Sequence, residues 1–129
     1  MWEFLESSPA IPITVVNTLV SATRPTERSM LAVVDTGYSG FLLLPRKTFR
    51  ELGFDDLRNY PSRAQLANGA IVEMSSSYGT VRFQDLGTET DGQVQTCEGM
   101  EEVLIGIDGI RELAVTVDGC AKMCYARRC

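Results

Sequence analysis

The run Met30-Leu31-Ala32-Val33-Val34-Asp35-Thr36-Gly37-Tyr38-Ser39-Gly40-Phe41-Leu42-Leu43-Leu44-Pro45 decides how this chain is read. Its first five residues are apolar on both faces, the pattern of a central strand covered on either side. A second apolar run, Phe41 to Leu44, reads as another strand, and Pro45 closes it because proline cannot extend a central strand. Between them lies a short polar loop that begins with a carboxylate and carries Gly37 where a backbone turn leaves no room for a side chain. One carboxylate is thereby lifted out of a core on a tight loop.

Outward from this stretch the pattern is mostly β. Ile11 to Val20 is a β-branched run in which Pro12 favours an early or edge position. Thr23 to Arg28 reads as a turn or loop. After Pro45 a short packing helix is expected over about Arg46 to Leu52, with Phe49 and Leu52 on one face and Gly53 as its stop. The segment Arg63 to Met74 sets Asn68-Gly69 between two strand-like arms and predicts a β-hairpin tipped there. Thr80 to Phe83 alternates as a strand, Gly87 to Gly92 reads as a polar turn, and Gln93 to Cys97 as a strand. Val103-Leu104-Ile105 is a short apolar run ending at Gly106. Asp108 could cap a helix over Gly109 to Leu113, and Ala114 to Val117 returns to β. The expectation is one all-β domain over residues 1–129 with one or two short helices, residues 119–129 forming a Cys-rich tail.

Composition narrows the chemistry. The net charge is −5, from 17 acidic against 12 basic residues, which opposes nucleic-acid binding through clustered cations. Arg127-Arg128 is a solvated pair. No apolar run approaches the length that spans a bilayer, and the first residues lack a signal-peptide pattern, so the expectation is no membrane and a cytoplasmic address. The chain has no histidine, which removes Ser-His-Asp and Cys-His catalysis and the commonest zinc ligand together. Carboxylates, hydroxyls and thiols remain. Asp55-Asp56 and Glu101-Glu102 read as solvated surface, and Asp118-Gly119 as a turn. Cys97, Cys120, Cys124 and Cys129 leave zinc, disulfides and free thiols open, although the tail lacks the tight two-residue knuckle of zinc sites. No metal or cofactor is assigned.

Asp35-Thr36-Gly37 alone is also a common way to turn a chain after a strand. Its surroundings carry more. Asp35-Thr36-Gly37-Tyr38-Ser39-Gly40 with the leucine-rich strand behind it, followed much later by Leu104-Ile105-Gly106, resembles the retropepsin-like aspartic peptidases, and within them the prokaryotic branch with an aromatic residue after the triplet. Leu66-Ala67-Asn68-Gly69-Ala70 occupies the place of that family's flap hairpin. The resemblance spans about Ile11 to Asp118. It implies a single-lobe acid-protease β-barrel that works as a homodimer on a polypeptide substrate, with no cofactor and Asp35 as the catalytic residue.

The resemblance further implies an active-site loop of Thr36, Gly37, Tyr38 and Ser39, in which Thr36 bonds across the dimer and Gly37 approaches substrate. Leu104, Ile105 and Gly106 would support that loop from beneath. Ala67, Asn68, Gly69 and Ala70 would close over the peptide as the flap, although the residues themselves show turn chemistry and not mobility. Tyr38 departs from the commonest pattern, which places a small residue there. A ring at that point would narrow the cleft or select a side chain. The competing readings are a dimerisation or peptide-binding module without catalysis, and a β-barrel with a metal at its cysteines.

Overall fold

A computed structural model describes residues 1–17, 27–56, 60–65 and 68–129. Among these residues, seven strands form one sheet in the order β2(Ala10–Val16), β3(Glu27–Val34), β8(Leu104–Ile105), β4(Leu42–Leu44), β7(Thr88–Cys97), β6(Ile71–Phe83), β5(Tyr60–Gln65). A further pairing of β2 with β6, in register from Thr14↔Arg82 to Val16↔Thr80, joins the first strand of the series to the last but one and curls the sheet into a barrel. A smaller sheet of β1(Trp2–Glu3), β10(Met123–Arg128) and β9(Leu113–Asp118) packs Trp2, Leu113, Val115 and Cys124 against the barrel core.

The apolar runs become the strands they suggested. Ile11, Ile13 and Val15 of β2 alternate into the core with Ala32 and Val34 of β3 and Leu42 and Leu44 of β4. The expected strand to Val20 is described only as far as Val16, and residues 18–20 lie outside the described residues, as do 23–26 of the expected loop. Glu27 and Arg28, expected in that loop, are instead the first residues of β3, because they pair with Val16 and Val15. Asn17, fully buried, donates from Nδ2 to Leu52 O at 2.9 Å and ties β2 to the helix that follows β4. Truncating it leaves that carbonyl without its donor. Asn17→Ala should lower unfolding free energy by about 1–3 kcal/mol in chemical denaturation.

That helix, α1(Arg46–Glu51), starts after Pro45 and buries Phe49, with Leu52 as its C-cap. Gly53 follows at φ 79, the left-handed stop that glycine adopts at no steric cost. Two single-turn 3₁₀ segments, Phe54–Asp56 and Gln84–Leu86, complete the helical content of the described residues.

Two further expectations are corrected. Gly87 to Gly92 is a turn only at Gly87. Thr88 onward is the first half of β7, paired residue by residue with β6 from Phe83↔Thr88 to Gly79↔Gly92. Gly92 is there for packing, since a Cβ would meet the Phe41 ring. The helix expected over Gly109 to Leu113 is a series of turns, with Gly109 N donating to Gly106 O and Leu113 N to Ile110 O, before β9 starts. Asp108 does not cap it, and its carboxylate stands 3.4 Å from Arg111 Nη1. The Cys-rich tail is a strand, β10, which pairs with β9 across a turn where Asp118 Oδ1 accepts from Cys120 N and Ala121 N.

Candidate functional site

Asp35 leaves the end of β3, and the chain returns through Gly40 and Phe41 into β4. The two stems of this loop are not hydrogen-bonded strand neighbours. β8 lies between them, parallel to β3 with Val34↔Ile105 and antiparallel to β4 with Leu42↔Ile105. Asp35 N donates to Ile105 O at 3.0 Å, so the catalytic candidate is anchored directly to the segment expected to support it. Ile105 is fully buried in the main core, while Leu104, opposite Val33 and Leu43, turns to the other face. Gly106 N donates to Phe41 O, Ile107 N to Tyr38 O and Asp108 N to Gly40 O, which stitches the loop to the turns after β8.

Within the loop, Asp35 Oδ1 accepts from Gly37 N at 2.9 Å and Tyr38 N donates to Asp35 O at 3.1 Å. This leaves Oδ2 of the half-buried Asp35 for another partner. Thr36 and Ser39 are exposed, and among the described residues neither hydroxyl makes a hydrogen bond. The Tyr38 phenol donates to Gln95 Oε1, and Gln95 Nε2 donates to Ser76 Oγ at 3.3 Å.

Asp35, Gly37 and Tyr38 form one wall of a cleft of about 340 Å³. Its floor and far wall are Leu43, Cys97, Met100 and Leu104, with Val72 and Met74 of β6 and Gln65 of β5. Apart from Asp35 and Gln65 the described lining carries no amide or carboxylate side chain. Leu43, Val72, Met74, Cys97 and Met100 were not singled out for this role from sequence. The alternation of β6 and β7 puts Val72, Met74 and Ser76 on one face with Gln95 and Cys97, and the missing information was that β7 pairs with both β4 and β6.

Burial, with Asp108 and Cys97 adding to it, pushes the Tyr38 phenol above its ordinary value of 10.0. The folded chain therefore keeps this proton where the unfolded chain loses it. The associated stability is present below pH 10.0 and falls as pH rises beyond it. Tyr38→Phe should flatten that alkaline decline in denaturant midpoints.

Of the expected flap, Asn68, Gly69 and Ala70 form a turn between the paired arms β5 and β6, whose last described pair is Gln65↔Ile71. Asn68 Oδ1 accepts from Ala70 N at 2.9 Å, and Gly69 sits at φ 87 with open space around it. Ala67 lies outside the described residues. Gly69→Ala should cost only about 1–2 kcal/mol, the price of the left-handed conformation, because nothing would collide with the added methyl. Thermal unfolding of the variant checks this.

The cysteines do not converge. Cys97 lines the cleft, Cys124 sits in the barrel core where burial pushes its thiol up, and Cys120 and Cys129 are exposed. Among the described residues no group of three or more Cys, Asp or Glu stands together as a metal cluster. No described helix is long and apolar enough to cross a membrane.

No family model matches the chain. An uncharacterized protein of Archaeoglobus fulgidus is 32% identical to it over 119 residues, which covers 92% of this chain and 93% of that protein. The chain belongs to that archaeal protein's family. Among solved structures, the EIAV protease complexed with the inhibitor HBY-793 matches 86% of this chain and 92% of its own with a TM-score of 0.62 at 16% identity. The chain thus has a retropepsin-like, single-lobe protease fold, and the barrel, the loop at Asp35 and the β5–β6 hairpin described above are its version of it.

Proposed function

We propose that the protein is an aspartic endopeptidase, active as a homodimer in which each protomer supplies one Asp35 to a shared site. The observation that carries this reading is the placement of Asp35. Its carboxylate lines the wall of an apolar cleft, one oxygen is held by Gly37 N and the other is left over, on a loop braced by β8. Among the described residues no second carboxylate side chain lines that cleft, and on this reading the partner carboxylate comes from a second copy.

The chemistry follows from the pair. Two carboxylates that share one water cannot both ionise comfortably, so together they retain a proton, and aspartic proteases are the known instance. The ionised Asp35 takes a proton from the water as it attacks the peptide carbonyl. The protonated one donates to the developing oxyanion. On collapse of the resulting gem-diol it takes that proton back as the carboxyl product forms, while the first aspartate passes the proton it took from water to the departing amine nitrogen as the C–N bond breaks. Thr36, exposed and with no hydroxyl hydrogen bond among the described residues, would bond across the dimer. An extended peptide would lie along the cleft beneath the β5–β6 hairpin, where Asn68, Gly69 and Ala70 with Ala67 act as the flap.

The test is digestion of a denatured protein from acidic to neutral pH, with mass mapping of products and sedimentation of the same samples. Peptide-bond cleavage whose specific rate rises with protomer concentration as dimers form supports the reading. Stable dimers that bind peptide and never cut would instead establish a binding module.

A further inference from the structure

Tyr38 is where the active-site loop leaves the pattern it resembles, and the sheet beneath shows what its ring separates. On the cleft-facing side, Met74 lies opposite Cys97, and two residues along, Ser76 lies opposite Gln95. A groove following this face would pass from the first pair to the second. It stops between them: Met74 and Cys97 line the cleft beside Tyr38, whereas Ser76 and Gln95 do not. Ser76 is 0% exposed, and Gln95 bridges its hydroxyl to the Tyr38 phenol. The ring cannot easily swing away on its other side. A Cβ on Gly40 would overlap it, and one on Gly106 would come within 2.7 Å of Cδ2, so the ring is seated against both glycines.

Resting on the peptidase reading, we infer that Tyr38 is the specificity-determining residue of the cleft, a partition that hides the Gln95–Ser76 amide and hydroxyl and so restricts the site to large apolar substrate side chains. The phenol ties up the half-buried Gln95 and, through it, the buried Ser76, so the described lining beside Tyr38 is Leu43, Met74, Cys97, Met100 and Leu104, and the polar groups left on the cleft are Asp35, taken by the reacting water, and the exposed Gln65. A polar side chain entering there would lose its water without gaining a partner, a cost that apolar side chains avoid. Removing the ring joins Gln95 and Ser76 to the cleft and gives an amide-bearing side chain both a donor and an acceptor.

Met and Gln side chains have nearly the same length and shape, so peptides that differ only by Met or Gln beside the scissile bond read this partition directly. The proteins to compare are the parent, Tyr38→Ala, Tyr38→Phe and Gly40→Ala, in which a methyl displaces the ring without altering it chemically. Each peptide's kcat/KM is measured, along with its Kd for the same proteins carrying Asp35→Asn.

The parent should prefer Met over Gln by on the order of 100-fold, Tyr38→Phe should keep that preference, and Tyr38→Ala should reduce it to about 10-fold or less. Gly40→Ala should follow Tyr38→Ala, which keeps the question answerable if one of them fails to fold. An unchanged Met-to-Gln ratio in both ring-removing variants overturns the inference while leaving the peptidase standing. Absence of cleavage throughout, with the ratio of Kd values shifting as described, overturns the peptidase and supports the partition. Neither cleavage nor peptide binding by the folded parent overturns both.

Discussion

Asp35→Asn should reduce kcat/KM by roughly 10⁴-fold or more while leaving dimer and melting temperature close to those of the parent. The substitution is nearly isosteric, and an amide oxygen can still accept from Gly37 N, so the loop geometry is preserved. What disappears is the group that exchanges a proton. A second arm of the experiment separates a shared site from two independent ones. When excess Asp35→Asn protomer is added to a fixed amount of parent and the subunits are allowed to exchange, parent protomers are drawn into heterodimers holding a single carboxylate. Activity should then fall toward zero as the excess grows. Activity that stays constant would mean that each chain carries its own complete site, and the proposed division of labour between two copies would be wrong.

Gly106→Ala is the variant with the largest expected effect on folding. A methyl there would collide with the carbonyl oxygens of Gly40 and Tyr38 as well as with the Tyr38 ring. Two of those neighbours are backbone, and both belong to the loop that Gly106 N, Ile107 N and Asp108 N hold in place. Relief therefore requires the loop to lift from the turns behind it, breaking several hydrogen bonds together. The loss should be about 3 kcal/mol or more, at the upper end of overpacking costs. Gly119 is the control, since nothing lies within 4 Å of the position a Cβ would take there. Gly119→Ala should leave the denaturation midpoint within the range of ordinary surface changes.

Much of the barrel can be read from residue patterns. Runs apolar on both faces, such as Ala32-Val33-Val34 and Leu42-Leu43-Leu44, have few destinations other than central strands, and Pro45 and Gly53 bracket α1 for reasons local to the backbone. What escaped was the meaning of glycines whose demand is made by a distant partner. Gly92 and Gly109 look like turn and helix punctuation, yet each is small because of Phe41, through its ring in one case and its carbonyl in the other. No local rule detects a neighbour more than fifty residues away. The site shows the same division. Asp35 and its support at Leu104-Ile105-Gly106 could be named from motifs, whereas the cleft floor depended on β7 lying between β4 and β6, a parallel and an antiparallel partner.

The brace at β8 has a consequence for the order of events when the chain is made. Asp35 emerges early, but its loop has no fixed shape until residues 103–108 arrive to fill the gap between β3 and β4. Contacts of such long sequence separation form late, after the entropy of a large loop has been overcome. A nascent chain still short of Gly106 therefore presents an aspartate without a site. On the proposed peptidase reading, such a chain would be harmless while it is being synthesised, and would gain the ability to cut only when nearly all of it has folded.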